Sequence, residues 1–106
     1  MAETAEFAGK VALVTGALGA LGAVVAWRFF AAGAGVVLPD RKPEWLAGEF
    51  PELTSAPDRA FAHPCEITEP DSVEGLVAAA VARFGRIDAL ANVAGAFRGG
   101  AARRLL

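Results

Sequence analysis

Apolar residues fall into short unbroken runs that alternate with stretches where they recur every three or four positions. Lys10-Val-Ala-Leu-Val-Thr15 is one such run and predicts a strand buried on both faces. Leu21, Val25, Phe29 and Ala32 then repeat at helical spacing, with Leu18 and Val24 near the same face, and Gly33 supplies a stop. Gly35-Val-Val-Leu-Pro39 predicts a second buried strand, with Asp40 at its carboxyl end.

The middle of the chain loses this order, and all six prolines lie between Pro39 and Pro70. Residues 41–58 read as a loop with one short helix, opened by Pro43 and weakened by Gly48 and Pro51. Arg59 to Cys65 alternates weakly and predicts a third strand near a sheet edge, because Pro64 cannot donate to a ladder. A clear helix follows. Thr68 or Glu69 is placed to cap it, Pro70 suits its first turn, and Asp71 complements its dipole. Val73, Leu76, Val77, Ala80, Val81 and Phe84 form one apolar stripe, and Gly85 ends it. Residues 87–93 predict a fourth strand, Ala94-Gly95 turns the chain, and 96–106 read as an irregular tail.

Strands alternating with helices imply an α/β fold with a parallel sheet and right-handed crossovers. The expected form is a doubly wound, Rossmann-like sheet of about four strands in the order 3-2-1-4. Its first two crossovers would cover one face and the Val73 helix the other. The order reverses between the first and fourth strands, and ligands of such sheets bind outside the carboxyl ends at that point.

Composition narrows the classes. The 106 residues make one domain, 55% apolar with a net charge of −2. That is too apolar for a disordered chain and carries no basic footprint for nucleic acid. A single cysteine, Cys65, excludes an internal disulfide framework and fits a reducing compartment, so a cytoplasmic location is expected. The first residues lack the positive start of a secretory signal. Val11 to Trp27 is uncharged over 17 residues, at the lower limit for a membrane span. Its glycines and Thr15 suit a water-soluble fold better, so no membrane partner is expected. His63 and Cys65 share a strand face, but two ligands without a third predict no metal site.

The glycine cluster Thr15-Gly-Ala-Leu-Gly-Ala-Leu-Gly22 lies where a phosphate cradle belongs, after a strand and before a helix. One glycine permits a tight turn, another lets backbone approach a pyrophosphate, and Gly22 lets the helix pack closely. Asp40 follows Gly22 by eighteen residues, near the spacing of about 20 expected for an acid that binds the adenosine ribose. Such an acid repels a 2′-phosphate and favours NAD. Arg41 blunts that repulsion and keeps NADP open.

These segments resemble the short-chain dehydrogenase/reductase family. The glycine run is similar to that family's TGxxxGxG motif, Phe84 to Gly95 to its FGxxDxLxNNAG segment, and Ala62 to Thr68 to its DVT stretch. The resemblance implies hydride transfer between NAD(P) and an alcohol or carbonyl carbon, with residues 1–95 as a dinucleotide-binding half-domain. It further implies that Gly16, Gly19, Leu21 and Gly22 cradle the pyrophosphate and that Asp40 and Arg41 meet the ribose. Glu66 and Ile67 would meet the adenine. Asn92, Ala94 and Gly95 would line the ribose and nicotinamide side. The chain departs from the pattern in three places. Gly19 and Ala20 stand where the family has the reverse, Glu66 replaces an aspartate, and Val93 replaces the second Asn. The family's Ser-Tyr-Lys chemistry lies in a half that follows these motifs, and this chain contains no tyrosine. It is therefore expected to be truncated, with no catalytic residue of its own and an exposed fourth strand able to pair with another copy or chain. Alternatives are a non-catalytic nucleotide-binding or interaction module, an S-adenosylmethionine-binding domain, and a fragment that does not fold alone.

Overall fold

The structure, a computed structural model, describes residues 6–93. Four strands form one parallel sheet: β1 (Val11–Thr15), β2 (Gly35–Asp40), β3 (Ala60–Pro64) and β4 (Ala89–Asn92). Their order is β3-β2-β1-β4, as the alternation of strands and helices requires. The central pair is built from the apolar runs Val11–Val14 and Val36–Leu38, and every residue of β1 is buried. Ala94, Gly95 and the expected tail at 96–106 lie outside the described residues.

Strand periodicity divides the core into two layers. Val14, Val36, Leu38 and Ala60 face one way, against Ala17 and Ala26. Val11, Leu13 and Val37 face the other way, against Leu76, Ala80 and Cys65. Helix α1 (Ala20–Ala31) and the short helices that join β2 to β3 cover the first face. Helix α4 (Pro70–Phe84) covers the second. The β1–α1–β2 and β3–α4–β4 crossovers therefore lie on opposite sides, and the order reverses between β1 and β4.

Four expectations need correction. Residues 41–58 hold a 3₁₀ turn (Pro43–Trp45) and two four-residue helices, α2 (Leu46–Glu49) and α3 (Glu52–Ser55). Leu46 is fully buried and Phe50 nearly so, so this segment contributes to the core. The seated face of α1 is also different. Gly22 and Ala26 are its buried residues, whereas Leu21 is 67% exposed and Val24 and Trp27 are exposed. Small side chains let the helix approach the sheet, and the larger ones are turned outward. On α4 the stripe is narrower than its sequence suggests: Leu76 and Ala80 are buried, and Val77 and Val81 are exposed. Finally, Glu69 occupies the N-cap of α4, but no side chain caps it, and Pro70 opens the first turn. The helix ends at Gly85, whose φ of 82° is left-handed.

Asp88 secures the amino end of the β1–β4 pair. Its carboxylate accepts the Val11 N–H at 2.8 Å, and its own N–H donates to the Val11 carbonyl at 2.8 Å. Arg86 donates twice to the same carboxylate, from Nε at 3.0 Å and Nη2 at 2.7 Å. These bonds, Arg86 first and the Val11 N–H second, hold Asp88 below the usual carboxylate range.

Two expected outcomes follow from this packing. Leu46→Ala should lower unfolding free energy by about 2–5 kcal/mol, as for a core leucine. A surface leucine in a loop would cost under ~0.5 kcal/mol, and urea denaturation separates the two. Because the folded Asp88 carboxyl titrates lower than an unfolded one, its contribution is present above pH ~3.9 and is lost as pH falls through the depressed value. The urea midpoints of wild type and Asp88→Asn should therefore differ most near pH 7 and converge toward pH 3. A gap that is constant with pH would show that the charge of Asp88 contributes nothing.

Candidate cofactor site

All four strands point their carboxyl ends to one edge of the sheet, and the motif residues collect there. In spatial order the edge presents Glu66 and Ile67 after β3, Asp40 at the end of β2 with Arg41 following it, Gly16 after β1, and Asn92 at the end of β4. Three inter-strand steps separate the ends of this row, a span of roughly 14 Å. In open parallel sheets the ligand crevice lies where the strand order reverses, here between β1 and β4.

The glycine turn forms the middle of the row. Gly16 has φ of 77°, which turns the chain sharply away from β1. Gly19 is the N-cap of α1, and its N–H closes the turn onto the Gly16 carbonyl at 3.0 Å. Gly22 then seats the helix on that turn: a Cβ there would stand 1.9 Å from the Gly16 oxygen. Gly19 differs, since its φ of −81° is open to any residue and a Cβ would meet the Gly16 oxygen at 3.4 Å.

The N-terminus of α1 suits an anion. The N–H groups of Ala20, Leu21 and Gly22 have no acceptor within the helix, as at any helix start. No side chain caps them, and the first turn holds no acidic residue. Positive partial charge therefore faces the crevice without a competing carboxylate. A diphosphate fits this donor set. Leu21 enters the site through its backbone, because its side chain is outside the packed face of the helix.

The flanking residues are held by short-range bonds. Asp40 Oδ2 accepts the Lys42 N–H at 2.8 Å, which fixes the carboxylate at the strand end. Glu66 Oε2 accepts the Thr68 hydroxyl at 2.8 Å, and the Glu66 N–H donates to Ser72 Oγ at 2.8 Å. The Thr68 hydroxyl, then the Thr68 N–H, lower the Glu66 carboxyl below its usual range. Ile67 is exposed beside it. His63 packs on Phe61, and its Nδ1 lies 2.8 Å from the Pro64 carbonyl oxygen. Cys65 is buried just past β3, with its thiol 3.8 Å from the Ser72 carbonyl. No group of three metal-ligating side chains occurs among the described residues. Among them, too, no helix is long and apolar enough to cross a membrane.

Sequence reasoning gave Thr15 no role beyond the motif. Its buried hydroxyl donates to Asn92 Oδ1 at 2.8 Å and accepts the Val93 N–H at 2.9 Å. Thr15 thus ties β1 to β4 directly beneath the crevice and fixes the Asn92 amide. The available signal was a hydroxyl ending a wholly apolar strand, because a buried hydroxyl requires partners.

Known proteins resemble this chain in sequence and fold. The family model described as short chain dehydrogenase matches residues 10–105. The 2,5-dichloro-2,5-cyclohexadiene-1,4-diol dehydrogenase LinX of Sphingobium indicum is 40% identical over 90 residues, which cover 85% of this chain and 36% of that protein. The crystal structure of a glucose/ribitol dehydrogenase of the short-chain dehydrogenase/reductase type from Brucella melitensis superposes with a TM-score of 0.81 at 35% identity. It covers 90% of this chain and 40% of that one. A metagenomic short-chain oxidoreductase in complex with NADP gives a TM-score of 0.78 at 35% identity, over 89% of this chain and 42% of that one. The chain thus spans about two-fifths or less of each relative's length.

Gly22 and Gly19 should respond differently to a methyl group. Gly22→Ala drives a Cβ into backbone and should abolish cooperative unfolding or lower the melting temperature sharply. Gly19→Ala should cost no more than about 1 kcal/mol, since its backbone angles admit alanine, the added contact is tolerable, and alanine is only a poorer N-cap than glycine. Paired thermal melts by circular dichroism test this. Equal losses for both variants would contradict the seating of α1 on the turn.

Proposed function

The chain belongs to the short-chain dehydrogenase family, and we propose that it binds the dinucleotide for an oxidoreductase that moves hydride between NAD(P) and an alcohol or carbonyl carbon. The observation that carries this reading is the glycine turn, with its uncapped helix start between Asp40 on one side and Asn92 on the other. The amides of Ala20, Leu21 and Gly22 would hold the diphosphate, and the closely approaching backbone of Gly16 and Gly19 would leave room for it. Asp40 would accept the adenosine ribose hydroxyls, and Glu66 with Ile67 would border the adenine. Asn92, fixed by Thr15, would border the nicotinamide ribose. Ala94 and Gly95, which follow it, are proposed to extend that wall.

Asp40 favours NAD, since a carboxylate at the ribose repels a 2′-phosphate. When bound, the nicotinamide supplies the hydride donor or acceptor, and the protein supplies orientation and electrostatics. The 106 residues contain no tyrosine, so a phenol that moves the accompanying proton is not among them. We therefore infer cofactor binding without turnover for this chain by itself. The outer edge of β4 has no strand partner among the described residues, and Leu90 on it is 66% exposed. This is the edge we propose for association with a further strand.

Fluorescence titration with NADH tests the reading. Binding is expected for the wild-type chain, with affinity weakened about tenfold or more by Asp40→Ala, the loss of a charge-assisted hydrogen bond. Carbonyl reduction by the same sample should be absent. A chain that melts cooperatively yet binds neither NADH nor NADPH would refute the proposal.

A further inference from the structure

Arg41 and Glu66 follow the ends of neighbouring strands, β2 and β3, and their side chains meet across the gap. Arg41 Nε lies 3.8 Å from Glu66 Oε1. Glu66 is the fixed partner. Its Oε2 accepts the Thr68 hydroxyl at 2.8 Å and the Thr68 N–H at 3.4 Å, and its backbone is tied to Ser72. Arg41 is the adjustable one, with 79% of its side chain exposed. Glutamate has the reach for this contact. An aspartate in its place would be one methylene shorter and would open the pair.

Building on the dinucleotide reading above, we propose that Glu66 is a positioning residue for cofactor choice. By pairing with Arg41, it withholds the guanidinium from a 2′-phosphate and so reinforces the preference for NAD set by Asp40. The chemistry is simple. A 2′-phosphate beside Asp40 needs a cation to offset the carboxylate, and an arginine near this position is the usual means. Arg41 is adjacent in the chain, but its charge is already shared with Glu66. Recruiting it to the phosphate breaks an exposed ion pair, which lowers NADP affinity by up to about fivefold. Arg41 is also among the groups that keep Glu66 ionised, after the two Thr68 bonds.

The test measures dissociation constants of NADH and NADPH for the whole chain at low ionic strength. Wild type, Glu66→Gln, Arg41→Ala and the double variant are compared. Glu66→Gln should lower the ratio of the NADPH to the NADH constant about two- to fivefold, and the same change made in the Arg41→Ala background should leave that ratio unmoved. A ratio that does not respond to Glu66→Gln, or responds equally without Arg41, overturns the inference. A second readout needs no nucleotide: the Glu66 carboxyl, followed by NMR, should titrate higher in Arg41→Ala than in wild type, and an unchanged titration overturns the pairing. Absence of binding of either nucleotide to a folded wild-type chain overturns the dinucleotide reading as well. Binding of both with an unmoved ratio overturns this inference alone.

Discussion

The close approach of α1 to the turn before it sets the geometry of the whole carboxyl edge. Gly22 lies so near the Gly16 carbonyl that no side chain fits between them. Because that gap is closed, the helix axis and the end of β1 are locked at one angle. The first-turn amides are then aimed at the crevice instead of along the sheet face. The same seat brings Ala26 onto Val36 and Leu38, so one contact serves both core packing and the anion-facing geometry. A larger residue at either position would lift the helix from the sheet and turn its dipole away.

Side-chain bonds reinforce the pair of strands on which this geometry rests. Asp88 pins the start of β1 to the approach of β4, and Thr15 pins their far ends through Asn92 and Val93. The β1–β4 ladder is four residues long, so two polar pins matter more here than they would in a longer ladder. Both pins place polar groups beside apolar neighbours; the Asp88 carboxylate is met by Val11 and Arg86, and the Thr15 hydroxyl by Asn92 and Val93.

Much of this was legible in the sequence, for identifiable reasons. Unbroken apolar runs marked β1 and β2, and one proline near Cys65 marked β3 as an edge. The glycine spacing located the turn and the helix start. The buried face of α1 was not legible, because Ala20–Ala31 is apolar almost all round, with Arg28 its one charge. Periodicity cannot choose a face under those conditions, and the small residues Gly22 and Ala26 decided it through close packing. Leu46 and Phe50 were hidden because isolated apolar residues among prolines and glycines carry no period. The Arg41–Glu66 and Thr15–Asn92 contacts join residues far apart in the chain, which no local pattern reports.

The two pins between β1 and β4 each join residues 77 positions apart in the chain. Closing so long a loop costs entropy before any contact repays it, and such topologies assemble slowly. On a ribosome, β1, α1 and β2 can pack as soon as they emerge. The opposite flank of β1 must wait, unpaired and apolar, until β4 has been made. The order of synthesis therefore leaves the side of the sheet destined for β4 as the last to be sealed, and the interval before that is when a nascent chain of this design is most open to capture by a chaperone.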